Sequence, residues 1–387
     1  MNTGNTIAEN KSKKVLSFAL EGKSILWLSE VNKYMVVIPP VDKIIELIWQ
    51  GKSDRIIYKY CIEKLKLIPE EANQIVSLLR ENLSEIQCNE ECGRHENFLF
   101  ANIPPEFFKC KRYYRIYNLT FLFEYETFEI EHLIHPKFAH LEIPQTSEFT
   151  NHFQLFKVDS EIVLMVNGIQ IGNWTSEMEH FMTGKVSMQI LQKIYNKEED
   201  DWMAVFHAAG ITNGKNCLVF LGDSGNGKST LSAILMANGL EVLADDFLPI
   251  ESKSGLVCHF PAAISVKNKA LEILIPKFPQ LKQAREINNN AAGKTFRYLP
   301  THRKEPLCVP CKALVFVKYQ KDAGFCLEKM SGEEAFVHLV PDSWISPTSK
   351  NANRFVNWFT SLPYYRITYS DNEQMVQTVK KMLNDDV

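Results

Sequence analysis

The stretch "FLGDSGNGKSTLSAILMANGLEVLADDFLPI" (220–250) decides the fold of this chain. Within it, "GDSGNGKS" (222–229) fits the G-x-x-x-x-G-K-[ST] pattern of a phosphate-binding loop. The apolar run "CLVFLG" predicts a buried strand before the loop, and "STLSAILMANG" predicts a helix after it that ends at Gly239. A loop between a strand and a helix directs backbone N–H groups at phosphate oxygens, so the stretch predicts a nucleotide site.

The residues of this loop have separate expected tasks. The glycines let the backbone turn toward phosphate without a Cβ clash. Lys228 is expected to reach the β- and γ-phosphates of ATP, and the Ser229 hydroxyl to bind Mg²⁺. A glycine-rich turn without a ligand is the alternative interpretation, although every fixed position of the pattern is met. The expected nucleotide-binding residues are Gly222, Asp223, Ser224, Gly225, Asn226, Gly227, Lys228, Ser229 and Thr230.

Two adjacent acids follow the loop closely. "LEVLADDFLPI" (240–250) predicts a strand adjacent to the loop strand, with Asp245 and Asp246 at its carboxyl end, the edge where open α/β sheets bind ligands. One carboxylate can hold Mg²⁺ and the other can accept a proton from a hydroxyl group. Solvated turn acids are the alternative. His207 is expected on a strand beside the loop strand, where it could orient or tune the acids, although a lone histidine is more often structural.

Composition excludes several classes of protein. The chain has 387 residues, 45% apolar and 23% charged, which is typical of a globular protein with two or three domains. A net charge of −3 argues against a protein that coats nucleic acid. No apolar run is long enough for a secretory signal or a membrane span, so a cytoplasmic location is expected.

The cysteines are expected to be free or buried thiols. Nine scattered cysteines are typical of a reducing compartment. The close pairs Cys88 with Cys92 and Cys308 with Cys311 lie far apart in the chain and lack histidines at finger spacing, so they do not predict a zinc site.

The hydrophobic pattern divides the chain into three regions and predicts an α/β fold, α+β overall. Residues 1–92 predict a hairpin followed by three helices, and 88–97 a linker. Residues 93–200 alternate apolar and polar residues, which predicts antiparallel strands, including "FEIEHLIH" (128–135) and a turn at "VNGIQ" (166–170). Residues 201–387 alternate strands and helices around the loop, and the β-rich segment could be part of the same sheet.

His207, "GDSGNGKS" and "VLADD" together resemble the kinase domain of HPr kinase/phosphorylase, over about 200–387. The resemblance implies an ATP- and Mg²⁺-dependent kinase in which Asp245 is the base, aided by His207, and Asp246 joins Ser229 at the metal. It makes Lys267 and the cluster Lys294, Arg297 and Arg303 candidates for phosphate or substrate contacts, with solvated surface charges as the alternative. Phosphoenolpyruvate carboxykinase is a more distant relative of the same kinase fold, and its chemistry is an alternative. HPr kinases are hexamers, which leaves a homo-oligomer open.

Two further resemblances concern the substrate. Segments such as "KTFRYLP" (294–300) and "GEEAFVHLV" (332–340) are closer to an HPr-kinase-related subgroup found with ribosomally made peptide maturation. The layout of residues 15–90 is similar to the small PqqD-like, winged-helix peptide-recognition domain, which binds a leader peptide as an added strand. A plain winged helix or a structural extension is the alternative. Its helices mix acids with bases, which argues against nucleic acid.

The expected function is therefore phosphorylation of a serine hydroxyl on a peptide or protein, bound partly by residues 15–90. The alternatives are a small-molecule hydroxyl kinase with a structural N-terminal module, and a nucleotide-binding regulatory protein.

Overall fold

A computed structural model describes residues 15–88, 104–289, 294–301 and 303–384, and shows a mixed α/β fold with several sheets. The chain forms two compact units. Unit 1 comprises Met1–Cys92 and Ile345–Asn357, and unit 2 comprises Gly93–Trp344 and Trp358–Val387. In the described part of the chain, no helix combines the length and the apolar character that a membrane span needs.

Unit 1 begins with an antiparallel sheet of order β1-β2-β3, and three helices follow. Its core contains Leu26, Leu28, Ile45, Trp49 and Leu83, because the strands and helices turn their apolar faces toward one another. The elements are β1 Val15–Leu20, β2 Lys23–Leu28, β3 Lys33–Val37, α1 Val41–Trp49, α2 Asp54–Lys59, which continues as a π-helical turn Tyr60–Lys64, and α3 Pro69–Cys88.

Residues 345–357 contribute to unit 1 through two specific contacts. The side-chain amide of Asn32 donates to the carbonyl oxygen of Ile345 at 2.7 Å, while its oxygen accepts from the indole N–H of Trp27 at 2.8 Å. The rings of Tyr34 and Phe355 meet edge to face with centroids 5.5 Å apart. A segment far along the chain therefore completes the N-terminal unit.

The β-rich part of unit 2 forms a six-stranded sheet of order β6-β4-β5-β7-β8-β9. Asn167 and Gly168 both have positive φ between β8 and β9, as the tight turn expected there requires. The elements are β4 Cys110–Ile116, β5 Leu119–Tyr125, α4 Phe128–Phe138, β6 Glu142–Ile143, β7 Asn151–Val158, β8 Glu161–Val166, β9 Ile169–Thr175 and α5 Glu179–Tyr195.

One segment expected as strand is helical. Residues Phe128–Phe138 form α4 although "FEIEHLIH" alternates apolar and polar residues. The Thr127 hydroxyl caps the helix by accepting from the Ile130 N–H, and Glu129 and Glu131 lie in the first turn, where acids stabilise a helix. The cap and the acids outweigh the alternating pattern.

The remaining elements of unit 2 surround a six-stranded sheet of order β13-β11-β12-β20-β23-β21. In it, β12, β20 and β23 run parallel, and β11 is antiparallel to both β12 and β13. Two further sheets have the orders β19-β15-β14-β10-β22 and β16-β18-β17. The strands are β10 Trp202–Phe206, β11 Ala209–Thr212, β12 Cys217–Leu221, β13 Glu241–Ala244, β14 Leu248–Glu251, β15 Val257–Cys258, β16 Ile264–Lys267, β17 Ile287–Asn289, β18 Lys294–Leu299, β19 Cys308–Val309, β20 Cys311–Tyr319, β21 Phe325–Lys329, β22 Ser343–Ile345 and β23 Tyr364–Tyr369. The helices are α6 Lys228–Ala237, α7 Leu271–Leu274, α8 Gly332–Leu339 and α10 Asn372–Leu383, while α9 Ser349–Thr360 belongs to unit 1 as far as Asn357.

This order of strands corrects one expectation about the site. The strand that carries the acids, β13, is not adjacent to the loop strand β12, because β11 lies between them. Since β11 is antiparallel to both, β12 and β13 point the same way and their carboxyl ends meet at one edge of the sheet. The acids and the loop therefore still share an edge.

The expectation of free thiols is wrong for two cysteines. Cys258 and Cys308 form a disulfide between β15 and β19, which are paired strands in which these residues lie opposite each other. Cys311, the partner of Cys308 in the "CVPC" pair, is free. Cys92 lies outside the described residues, as does the side chain of Cys88.

Candidate functional site

The loop between β12 and α6 has the geometry of an anion site. Gly222, Gly225 and Gly227 adopt φ of 142°, 105° and 93°, a region that side chains disfavour. A Cβ atom at Gly222 would lie 2.6 Å from the carbonyl oxygen of Val317 on β20. The backbone therefore passes close against the neighbouring strand and delivers its N–H groups to the start of α6, where the helix dipole favours an anion.

Lys228 is the first residue of α6 and its side chain is buried. Its ammonium donates to the carbonyl oxygen of Gly222 and so closes the loop on itself. Burial lowers the pKa of Lys228, while the carboxylates of Asp246 and Asp245 oppose that shift. The charge that phosphate would neutralise is thus already in place beside the loop.

Asp245 is buried behind the start of α6, with 4% of its surface exposed. The Ser232 hydroxyl donates to its Oδ1 at 2.9 Å. Its Oδ2 is buried without a hydrogen bond of good geometry, although the Ser229 hydroxyl and the Ser265 N–H lie close enough to favour the ionised form. Burial, followed by the charge of Asp246, raises the pKa of Asp245 to about 7.

Asp246 lies in the opposite environment. Its side chain is 49% exposed, and its Oδ1 is 3.7 Å from Nε2 of His207, which is 48% exposed. His207 lies in the short connection between β10 and β11, not on a strand as expected, and its N–H donates to the carbonyl oxygen of Asp342 at 3.3 Å. An accessible carboxylate paired with an imidazole has the geometry of a proton acceptor.

A cavity of about 770 Å³, which we call the larger cavity, is lined by Lys228 and Asp246 but not by the buried Asp245. This volume falls within the range of small-molecule sites. Asp246, His207 and Ser265 line it, as does Tyr319, whose exposed ring could support a nucleotide base. Of the nine expected loop residues, Asp223, Ser224, Gly225, Gly227, Lys228, Ser229 and Thr230 line it.

A second cavity of about 200 Å³, the smaller cavity, shares His207 and Asp223 with the larger one. Gly222 and Asn226, the other two expected loop residues, line the smaller cavity. So do Lys318, His338, Asp342 and Arg366, none of which the sequence singled out. Arg366 forms an ion pair with Glu334. These residues come from β20, from β23 and from α8 and its following turn, so no local motif marks them.

The four basic residues expected to contact phosphate or substrate differ in their positions. Lys267 lines the larger cavity, with its ammonium 3.5 Å from the Ser224 hydroxyl. Arg297 instead donates to the carbonyl oxygens of Leu281 and Lys282 and does not line the larger cavity. Arg303 pairs with Glu241, and the side chain of Lys294 lies outside the described residues. Lys267 is therefore the candidate that the structure brings to the loop.

The residues present fit a magnesium ion. Asp245 Oδ2 is a buried acceptor whose hydrogen-bonding capacity is not filled, and the Ser229 hydroxyl lies beside it. Hard oxygen ligands of this kind suit Mg²⁺, which at nucleotide sites takes only one or two protein ligands, together with phosphate oxygens and water. The described residues contain no cluster of three or more His, Cys, Asp or Glu side chains that could hold a metal, and such a site does not need one.

Comparison with known proteins finds similarity to solved structures. No protein-family model matches the chain, and no curated protein matches it. The HPr(Ser) kinase/phosphatase from Coxiella burnetii is similar over 47% of this chain and 94% of its own, at 10% identity and a TM-score of 0.21. A TM-score at this level supports no functional argument, so the geometry of the site must carry the function.

Proposed function

We propose that this protein is an ATP-dependent kinase that phosphorylates a hydroxyl group, a serine of a peptide or protein. The observation that supports it best is the pair of acids at the end of β13. One carboxylate is buried against the helix that follows the phosphate loop, and its neighbour is exposed beside a histidine. A protein that only binds a nucleotide needs no accessible base facing the phosphates, whereas phosphoryl transfer to a hydroxyl does.

Because Asp246 is exposed and Asp245 is buried, we assign the proton acceptor to Asp246 and the metal ligand to Asp245, the reverse of the roles that the family resemblance implies. Asp246 accepts the proton of the acceptor hydroxyl as its oxygen bonds to the γ-phosphorus of ATP. The bond from the γ-phosphorus to the bridging oxygen breaks at the same time, and ADP leaves. His207 orients Asp246, while Lys228 and the loop N–H groups neutralise the phosphates. Ser229 and Asp245 would hold Mg²⁺, which supplies further neutralisation of phosphate charge.

The two cavities suggest how the reactants are arranged. ATP occupies the larger cavity, because most of the loop faces it. The smaller cavity, at about 200 Å³, lies below the usual size of a nucleotide site but has room for a single side chain. An acceptor hydroxyl entering there meets His207, which lines both cavities.

A peptide acceptor is supported by unit 1. Among the described strands of its sheet, β1 and β3 are the edge strands. An exposed edge can pair with an extended peptide through main-chain hydrogen bonds, which would raise the concentration of the acceptor at the kinase site.

The test compares Asp246→Asn and Asp245→Asn with the parent, using γ-labelled ATP and either a serine-centred peptide library or free serine as acceptor. Asp246→Asn should lower kcat by about 10²–10⁴-fold and change the Kd for ATP by less than about threefold. Asp245→Asn should instead weaken Mg²⁺-dependent ATP binding. Asp322→Asn, at an exposed position with positive φ that Asn tolerates, is the matched control.

Each other outcome has a definite meaning. Activity retained in Asp246→Asn and lost in Asp245→Asn would restore the roles implied by the resemblance. Transfer to free serine but not to peptides would favour a small-molecule kinase. A parent protein that binds ATP and phosphorylates neither acceptor would contradict the kinase proposal.

A further inference from the structure

Two large apolar side chains that line the larger cavity are exposed. Tyr319 is 41% exposed and Ile273 is 39% exposed. They come from different elements, since Tyr319 is the last residue of β20 and Ile273 lies in α7. A ligand that covers such surface gains the free energy of removing it from water. The larger cavity therefore offers apolar surface in addition to the charged groups that face phosphate.

The ring of Tyr319 is fixed beside the phosphate loop. Its backbone N–H donates to the carbonyl oxygen of Asn226 at 3.0 Å. A Cβ atom at Gly227 would lie 3.1 Å from Cβ of Tyr319 and 3.8 Å from Oη of Tyr369, so the loop packs directly against both tyrosines. The two rings meet edge to face with centroids 5.5 Å apart. Tyr319 is thus held in place although much of its surface is open.

Asn372 adds a polar group to the same cavity. It is the half-buried first residue of α10, three residues after Tyr369, and it lines the larger cavity. The Asp371 side chain fixes this helix start by accepting from the N–H groups of Glu373 and Gln374 at 2.8 and 3.0 Å. The side-chain amide of Asn372 forms no hydrogen bond with any residue that the structure describes. Its donor and its acceptor are therefore both available to a ligand.

We propose that Tyr319, Ile273 and Asn372 form an adenine subsite, which makes the nucleotide site selective for ATP. The proposal rests on the function given above for the triphosphate at the loop, and it adds the part of the site that recognises the base. The base of ATP is joined to its phosphates through the ribose, so its subsite must lie in the same cavity as the loop. An aromatic ring stacks on the face of a base, and Ile273 adds apolar contact.

The amide of Asn372 distinguishes adenine from guanine. Adenine presents an amino donor beside a ring-nitrogen acceptor, which matches the oxygen and the NH₂ group of an amide. On the corresponding edge guanine presents two acceptors, O6 and N7, so the amide oxygen would face another acceptor. ATP should therefore bind more tightly than GTP.

The first test measures the contribution of the ring by calorimetry in the presence of Mg²⁺. Tyr319→Leu should weaken binding of the β,γ-imido analogue of ATP by about 10–100-fold. It should change the Kd for inorganic tripolyphosphate, which has no base, by less than about twofold. Tyr319→Phe keeps the ring and should bind the analogue as the parent does. Phe149→Leu, at a similarly exposed ring that lines neither cavity, is the matched control.

The second test uses Asn372→Leu, which keeps the approximate shape of the side chain and removes its hydrogen bonds. The parent should bind the ATP analogue about tenfold tighter than the GTP analogue, or more. In Asn372→Leu this ratio should fall to about threefold or less. A ratio of affinities cancels any effect of the substitution on the phosphates, which the two nucleotides share.

Three results would overturn the adenine subsite. One is an equal loss of ATP analogue and tripolyphosphate in Tyr319→Leu, which would mean that the substitution disturbs the loop. The second is a parent that binds the two nucleotides equally, and the third is a ratio that Asn372→Leu leaves unchanged.

These results are separable from the test of the kinase, because binding is measured without an acceptor. A parent that prefers ATP as stated but phosphorylates no acceptor would contradict the kinase and support the subsite. A parent that uses ATP and GTP equally well as phosphate donors would contradict the subsite alone. A parent that binds neither ATP nor tripolyphosphate would contradict both.

Discussion

Three carboxylates of unit 2 show how strongly the surroundings decide the chemistry of a residue. Burial holds the pKa of Asp245 near 7, while Asp246, its neighbour in the chain, is half-exposed beside His207. Glu124 on β5 is 5% exposed, and its surroundings act in the opposite direction. Burial alone would raise the pKa of Glu124, but hydrogen bonds from His152, Lys111 and Gln154 lower it to about 2. The hydrogen-bond partners of a buried carboxylate, more than its degree of burial, therefore determine whether it stays ionised.

Glu124→Gln gives a prediction at this scale. Because the pKa of Glu124 falls from 4.5 in the unfolded chain to about 2 in the folded protein, the unfolded state binds more protons between these values. The stabilisation is therefore complete above pH 4.5 and is lost as the pH falls toward 2. At pH 7 the substitution should lower the free energy of unfolding by about 3 kcal/mol.

The measurement is urea unfolding of unit 2 at pH 7 and at pH 3. The difference between Glu124→Gln and the parent should shrink at the lower pH. Glu148→Gln, at an exposed glutamate, should show little difference at either pH. An equal loss at both pH values would mean that packing, not charge, accounts for the effect.

At the scale of elements, the strand-loop-helix unit from β12 to α6 could be predicted from sequence because its signals are local. The glycines, the lysine and the apolar strand all occur within a few residues of one another. Helix α4 could not be predicted, because its alternating pattern is typical of a strand and only the cap at Thr127 and the acids of the first turn favour a helix. The residues of the smaller cavity reach the site through the fold, which no local spacing records.

The loop also gives a prediction for Gly222. In Gly222→Ala the new Cβ would lie 2.6 Å from the carbonyl oxygen of Val317, at a φ of 142°. The loop must shift away from β20, and strain of about 1–3 kcal/mol should weaken ATP binding by roughly 10–100-fold, as measured by calorimetry.

Gly225→Ala is the matched control for this loop. Its φ is also positive, but a Cβ atom there would meet nothing within 4 Å, so its effect should be smaller. Equal effects of the two variants would show that the positive φ, and not the close approach to β20, is what the loop requires.

For the whole molecule, the most unexpected feature is that unit 1 is discontinuous. Nothing in the local pattern of residues 345–357 marks them as part of the N-terminal unit, and only the folded chain brings them to Asn32 and Tyr34. The Cys258–Cys308 disulfide was missed for the same reason, since fifty residues separate its cysteines.

A fragment of residues 1–92 should therefore be less stable than the same residues in the full chain. It lacks the acceptor for the Asn32 amide and the ring that packs on Tyr34. Amide hydrogens of β2 and β3 should exchange about tenfold faster or more in the fragment. Phe355→Ala in the full chain should reproduce part of this effect, whereas Val337→Ala, at an exposed residue of unit 2, should not. Equal exchange rates in fragment and full chain would show that residues 345–357 contribute nothing to unit 1.

This discontinuity also has a consequence for biosynthesis. The first ninety residues leave the ribosome well before the segment that completes their unit, because 252 residues, from Gly93 to Trp344, are translated in between. At about 5–20 residues per second this interval lasts roughly 10–50 s. Throughout it the surface around Tyr34 stays uncovered on the nascent chain, so unit 1 is completed only after most of unit 2 has been synthesised.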